Sequence, residues 1–121
     1  MEKAKPILVV DDSNAARMQI CSIIESAGFR TVQANNGIAA LKIIREIELS
    51  LLFLDLLMPE MDGTDVLKYM KEKGISIPTV ILTADVQEEV KQECFGLGAV
   101  GFLNKPFKTQ AIIDSVLNHY K

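Results

Sequence analysis

Four stretches of the chain are apolar or nearly so: PILVV at 6–10, LLFL at 51–54, PTVIL at 78–82 and VGFL at 100–103. A run with no polar alternation suits a parallel strand covered on both faces. RTVQA at 30–34 is less apolar and reads as an edge strand. Between the runs, apolar residues recur at helical spacing. Ala16, Ile20, Ile23, Ile24 and Ala27 form one stripe, and Ile38, Leu41, Ile44 and Ile47 a second. Val66, Leu67 and Met70 mark a third helix, Val86, Val90, Phe95 and Leu97 a fourth, and Ile112, Ile113, Val116 and Leu117 a fifth. Gly28, Gly74 and Gly98 follow helical runs, where positive φ closes a helix at little cost. Asn36 and Asp62 stand as N-caps, and Asp85 with Glu88 has the spacing of a capping box.

Five β/α units in strict alternation predict an open parallel sheet with helices on both faces, because every parallel connection needs a right-handed crossover. The expected fold is a three-layer α/β/α, flavodoxin-like (βα)5 domain with strand order 2-1-3-4-5. Its ligand site belongs outside the carboxyl ends of the strands, where the order switches between the first and third.

The 121 residues suit a single domain, 1–121, able to bury a core without disulfides or metal staples. Their balance, 49% apolar and 24% charged, is that of ordinary globular proteins. A net charge of −3 with no basic stripe argues against nucleic acid or an anionic membrane as direct partners. Cys21 and Cys94, far apart and without a Cys or His cluster, read as reduced thiols. MEKAKPILVV carries too short an apolar run for a signal peptide or a membrane span, so a cytoplasmic location is expected.

Chemistry gathers at the strand exits. Asp11 and Asp12 follow the first strand, Asp55 the third, Thr83 ends the fourth and Lys105 follows the fifth. Any one of these is an ordinary turn residue; together, on four strands around one switch point, they form a constellation. Crowded carboxylates repel, and a divalent cation offsets that repulsion. Mg2+ fits best, with Mn2+ able to substitute, since Mg2+ takes oxygen ligands, keeps waters and is commonly held by one or two carboxylates plus phosphate. Such a site suits phosphoryl transfer onto Asp55, expected to be ionised at neutral pH without help from a base.

The ordered set ILVVDDS, FLDLLMPEMDG, TVILTAD and GFLNKPF resembles the response-regulator receiver domain of two-component signalling. In size the chain is similar to the single-domain chemotaxis regulator, itself a standard instance of the 2-1-3-4-5 order. The resemblance implies Asp55 as phosphoacceptor, Asp12 as direct Mg2+ ligand, Asp11 as an acid holding the metal through water, and the Leu57 carbonyl as a further ligand. It implies that the Thr83 hydroxyl and Lys105 amine bind the phosphoryl group, and that the Lys105–Pro106 bond is cis and aims the ammonium into the site. Thr83 and Phe102 would be the switch pair, acting on a face built from the fourth helix and the fifth strand and helix. Phe102 departs from the commoner Tyr, so partner identity is not carried over. Leu57 and Asp85 occupy positions that tune phosphate lifetime, and slow self-dephosphorylation relieved by a separate phosphatase is expected.

The implied donor is a sensor histidine kinase. The implied output is contact with a downstream protein target or a histidine phosphotransfer protein, which makes the chain a signalling switch and not a turnover enzyme. A P-loop is missing after the first strand, DDSNAAR would repel a flavin phosphate, and DDSNA fails the DxDx[TV] pattern of aspartyl phosphatases. The serious rival is a receiver-like docking module that works without phosphate. His119 is expected at the surface, with no role as a phosphate acceptor.

Overall fold

The computed structural model describes residues 4–84 and 87–120. Five strands, β1 (Ile7–Val10), β2 (Thr31–Ala34), β3 (Leu51–Asp55), β4 (Thr79–Thr83) and β5 (Ala99–Asn104), form one sheet in the order β2-β1-β3-β4-β5, with every pair parallel. The helices are α1 (Asn14–Ser26), α2 (Gly37–Glu46), α3 (Gly63–Glu72), α4 (Glu88–Gly96) and α5 (Thr109–His119). This is the flavodoxin-like topology expected from the alternation of elements.

Strand side chains alternate between two cores. Leu8, Val10, Leu52, Leu54 and Ile81 pack with α2, α3 and α4, whereas Ile7, Val9, Leu51, Phe53, Val80 and Leu82 pack with α1 and α5. Both faces of β1, β3 and β4 are therefore dry, which is why their sequences lack alternation. β5 differs from expectation: as the second edge of the sheet it is buried at Ala99 but half-buried or exposed from Val100 to Asn104.

Most punctuation holds. Gly28, Gly74 and Gly98 have φ of +96°, +69° and +106°. Asn36 accepts from the Ala39 amide at 2.7 Å, and Asp62 forms a reciprocal capping box with Asp65. α4 instead opens at Glu88 with Gln87 as N-cap and no side-chain cap bond; Asp85 and Val86 lie outside the described residues.

α3 buries Val66, Leu67 and Met70 as expected, whereas the inward faces of the other helices are shifted from the expected stripe in places. α2 buries Gly37, Ala40, Leu41 and Ile44 and leaves Ile38 and Ile47 largely in solvent. α1 buries Cys21 and exposes Ala27, α4 buries Cys94 and exposes Phe95, and Leu117 of α5 points outward. Both cysteines thus act as small core side chains, and burial raises both thiols above their ordinary pKa. Among the described residues no helix is long and apolar enough to cross a membrane.

Candidate functional site

Ladder register builds the site. β1 and β3 pair from Ile7↔Leu51 to Val10↔Leu54, so the next residues on each chain, Asp11 and Asp55, leave the sheet side by side. They continue the parity of Ile7, Val9, Leu51 and Phe53, so their side chains start on one face of the sheet. Asp12 follows on the turn into α1. Each of Asp11, Asp12 and Asp55 offers a carboxylate oxygen within 4.8 Å of the others. Asp11 and Asp55 are buried and Asp12 is exposed.

Lys105 comes from the turn after β5. Its amide donates to the Thr83 carbonyl at 2.7 Å, which ties the ends of β4 and β5, and the Lys105–Pro106 peptide is cis. The ammonium lies 3.0 Å from Asp11 Oδ2 and 3.6 Å from Asp55 Oδ2. Thr83, 1% exposed, ends β4 beside β3, whose Asp55 is in register with Leu82. All five residues thus stand at the carboxyl end of the sheet, Asp11, Asp12 and Asp55 at the β1/β3 switch, Thr83 at the end of neighbouring β4, and Lys105 reaching Asp11 and Asp55 from the end of β5.

The loop after Asp55 is held by close backbone approach. Gly63 donates to the Leu56 carbonyl at 2.9 Å, and a Cβ at Gly63 would fall 2.7 Å from the Asp55 carbonyl oxygen. On the other side Gly37 abuts Met61, with 2.8 Å from a built Cβ to Met61 Cγ. Between them Glu60 takes φ +68°, and Met61 donates to the Pro59 carbonyl at 2.8 Å across it, a tight γ-turn at a non-glycine residue. The left-handed residue of this turn is thus Glu60 and not Gly63. Leu57, exposed at the mouth, donates its amide to Asp55 Oδ1 at 3.3 Å.

Electrostatics correct one expectation. Asp55 does not keep an ordinary carboxylate pKa in the metal-free protein: burial and the Asp11 charge push it up to about 7, against the lowering effects of Lys105 and the Leu57 amide. Burial also works against the Lys105 ammonium, but contact with Asp11 and the charges of Asp55 and Asp12 outweigh it and hold its pKa above the usual value. At 4.8 Å two like charges repel by about 3–4 kcal/mol in an effective dielectric near 20. One ammonium cannot offset three such acids, and Asp11 Oδ2 and Asp55 Oδ2 are buried without a hydrogen-bond donor of good geometry. Hard oxygen donors, surplus negative charge and two buried carboxylate oxygens whose one cationic neighbour among the described residues is a shared ammonium fit a small divalent cation.

Phe102 on β5 is half-buried, edge to face with Phe95 of α4 at a centroid separation of 5.0 Å, with Lys91 Nζ 5.5 Å from its ring. His119, at the end of α5, is half-buried, with Nε2 3.7 Å from the Cβ position of Gly101.

A five-stranded 2-1-3-4-5 sheet with an acidic triad and a lysine at its carboxyl edge defines a receiver. The chain belongs to the response regulator receiver domain family, whose sequence pattern matches residues 7–117. It is similar to sporulation initiation phosphotransferase F of Bacillus subtilis (strain 168), 37% identical over 110 residues that cover 91% of this chain and 89% of that protein. It is 36% identical over 101 residues to the regulatory protein AtoC of Escherichia coli (strain K12), covering 84% of this chain but 22% of AtoC. Among solved structures, chemotaxis protein CheY4 of Vibrio cholerae superposes with a TM-score of 0.90 at 27% identity, covering 97% of this chain and 99% of that one. Receiver domains of two-component systems take phosphate from histidine kinases and bind Mg2+ at an acidic cluster of this kind.

Proposed function

We propose that this chain is a phosphorylation-activated switch in which Asp55 accepts a phosphoryl group from a histidine kinase. The observation that carries the reading is the convergence of Asp11, Asp12 and Asp55 with Lys105 at the β1/β3 switch. Asp11, Asp12 and Asp55 would hold Mg2+, with the Leu57 carbonyl as a further ligand. The cation would supply charge neutralisation at the pocket and favour the ionised form of Asp55.

In the transfer, an ionised Asp55 oxygen attacks phosphorus, the bond from phosphorus to the donor's histidine nitrogen breaks, and its electron pair stays on the imidazole. Lys105 neutralises charge on the equatorial oxygens, and the buried Thr83 hydroxyl donates to one of them. The product is an acyl phosphate that water can cleave. Leu57 offers no group to orient that water, which supports a long-lived phosphoryl group and the need for a separate phosphatase. Thr83 and Phe102 would then pass the change to α4, β5 and α5, where a downstream target or a histidine phosphotransfer protein docks. On this reading the domain is a cytoplasmic switch and not a turnover enzyme.

Incubation with Mg2+ and acetyl phosphate, followed by intact mass, tests the reading. The wild type should gain one phosphoryl group and Asp55→Asn none, and the label should outlast removal of the donor by minutes or more. An unlabelled wild type would instead identify a phosphate-independent docking module. Loss of the label within seconds would overturn the slow-hydrolysis expectation alone.

A further inference from the structure

Arg17 has no part in the chemistry assigned above, yet its side chain joins three segments around the acidic pocket. From α1, its Nη1 donates to the backbone carbonyl of Asp11 at 2.7 Å, Nη2 to Asn14 Oδ1 at 2.6 Å, and Nε to Gln33 Oε1 on β2 at 2.9 Å. A planar guanidinium presents these donors in a fixed fork, so three acceptors on three segments are held in one geometry.

The Asp11 carbonyl is the contact that matters. The β1–β2 ladder reaches its last registered pair at Val10↔Ala34, after which the Asp11 amide donates to the Ala34 carbonyl at 3.2 Å. Asp55 is the last residue of β3 and is fixed by pairing with β4, whereas Asp11 and Asp12 sit on a turn that has left the sheet. Repulsion among carboxylates within 4.8 Å of one another would push such a turn outward unless the backbone is tied. The ties are the Ala34 carbonyl on the Asp11 amide, the Ser13 amide on Asp11 Oδ1 at 2.9 Å, and Arg17 on the Asp11 carbonyl. Asp11 Oδ2 is left facing the pocket.

We propose that Arg17 is a positioning residue for the divalent-cation site: it clamps the β1–α1 turn so that the Asp11 and Asp12 carboxylates stay within reach of Asp55. This rests on the reading of the acidic triad as a cation site. Arg17 acts through main chain and touches neither the phosphoryl group nor the cation. Its loss therefore weakens cation binding while leaving the transfer step intact once the site is filled.

The test measures Mn2+ affinity by the electron paramagnetic resonance of free Mn2+, together with acetyl phosphate labelling at saturating Mg2+. Arg17→Ala should weaken Mn2+ binding by about tenfold, the lower end of what removal of a group supporting metal ligands costs. Its labelling rate at saturating Mg2+ should return close to that of the wild type. Arg17→Lys keeps the charge but cannot bridge three acceptors, and should bind Mn2+ nearly as weakly as Arg17→Ala. If Arg17→Ala does not fold, the double variant Asn14→Ala/Gln33→Ala, which frees the guanidinium from its anchors, should weaken binding by severalfold. Unchanged Mn2+ affinity in Arg17→Ala, or in the double variant where it stands in, overturns the proposal. Full recovery by Arg17→Lys overturns it in favour of a charge effect. A wild type that binds no Mn2+ removes the cation-site reading itself, which is distinct from a wild type that binds and an Arg17 variant that binds equally well.

Discussion

Asp55 and Gly63 are coupled through a single close approach. The glycine opens α3, and the space a side chain would need there is taken by the Asp55 carbonyl oxygen at 2.7 Å and the Leu56 Cα at 3.0 Å. These are backbone atoms and cannot turn aside as a flexible side chain would. Gly63→Ala should therefore displace the end of β3 or the start of α3, with a cost of about 1–3 kcal/mol for overpacking a filled site. A lowered Tm together with slower acetyl phosphate labelling is the expected outcome; a fall in Tm with unchanged labelling would place the displacement in α3 alone. The identities of the site residues were legible because acids, a hydroxyl and an amine at strand exits contrast with apolar runs. The shifted pKa of Asp55 was not, since it depends on how deeply β3 is covered and on Asp11 lying across the ladder. Arg17 was hidden for a related reason: an arginine on a helix looks like a solvated side chain until β2 and the β1–α1 turn close around it.

At the scale of elements, the strands were easier to read than the helix faces. A continuous apolar run marks a covered strand whatever its neighbours, but an amphipathic stripe gives a face only to within a residue or so. Ile38 and Ile47 fitted a spacing on α2, yet small residues, Gly37 and Ala40, face inward because α2 lies tight against the Met61 loop and the sheet. The edge character of β5 followed from the order 2-1-3-4-5 and not from its sequence. That exposure lets Phe102 lean on α4. Its edge-to-face contact with Phe95 stabilises the present position by about 0.5–1.5 kcal/mol. The Lys91 ammonium at 5.5 Å adds about 0.5–1 kcal/mol. Charge-assisted hydrogen bonds to a phosphoryl group contribute about 1.5–3 kcal/mol each, enough to reverse that bias under the proposed switch. Phe102→Ala should still accept a phosphoryl group at Asp55, but amide exchange in α4 should no longer respond to phosphorylation. A wild-type-like response of α4 in that variant would remove Phe102 from the switch.

At the scale of the whole molecule, the crowded acids of the site are a source of instability that the fold tolerates. Asp55 has a folded pKa of about 7 against an ordinary value of 3.8, so the folded state holds its proton more tightly than the unfolded state does. The favourable contribution of the neutral carboxyl is complete below about pH 4, falls as pH rises, and is lost once pH passes through about 7. The Tm of metal-free protein should therefore decline between about pH 5 and pH 8. Asp55→Asn, which cannot ionise, should flatten that decline and be more stable than the wild type at pH 8. Mg2+ acts in the opposite direction: because it binds the ionised form, it should raise the wild-type Tm more at pH 8 than at pH 6 and leave Asp55→Asn nearly unaffected. Thermal scans of both proteins at the two pH values, with chelator and with excess Mg2+, measure all three effects together. A wild-type Tm that rises with pH in chelator would mean that the Lys105 ion pairs, and not burial beside Asp11, govern the charge state of Asp55. In that case Asp55 would be ionised and ready for the phosphoryl group before any cation arrives.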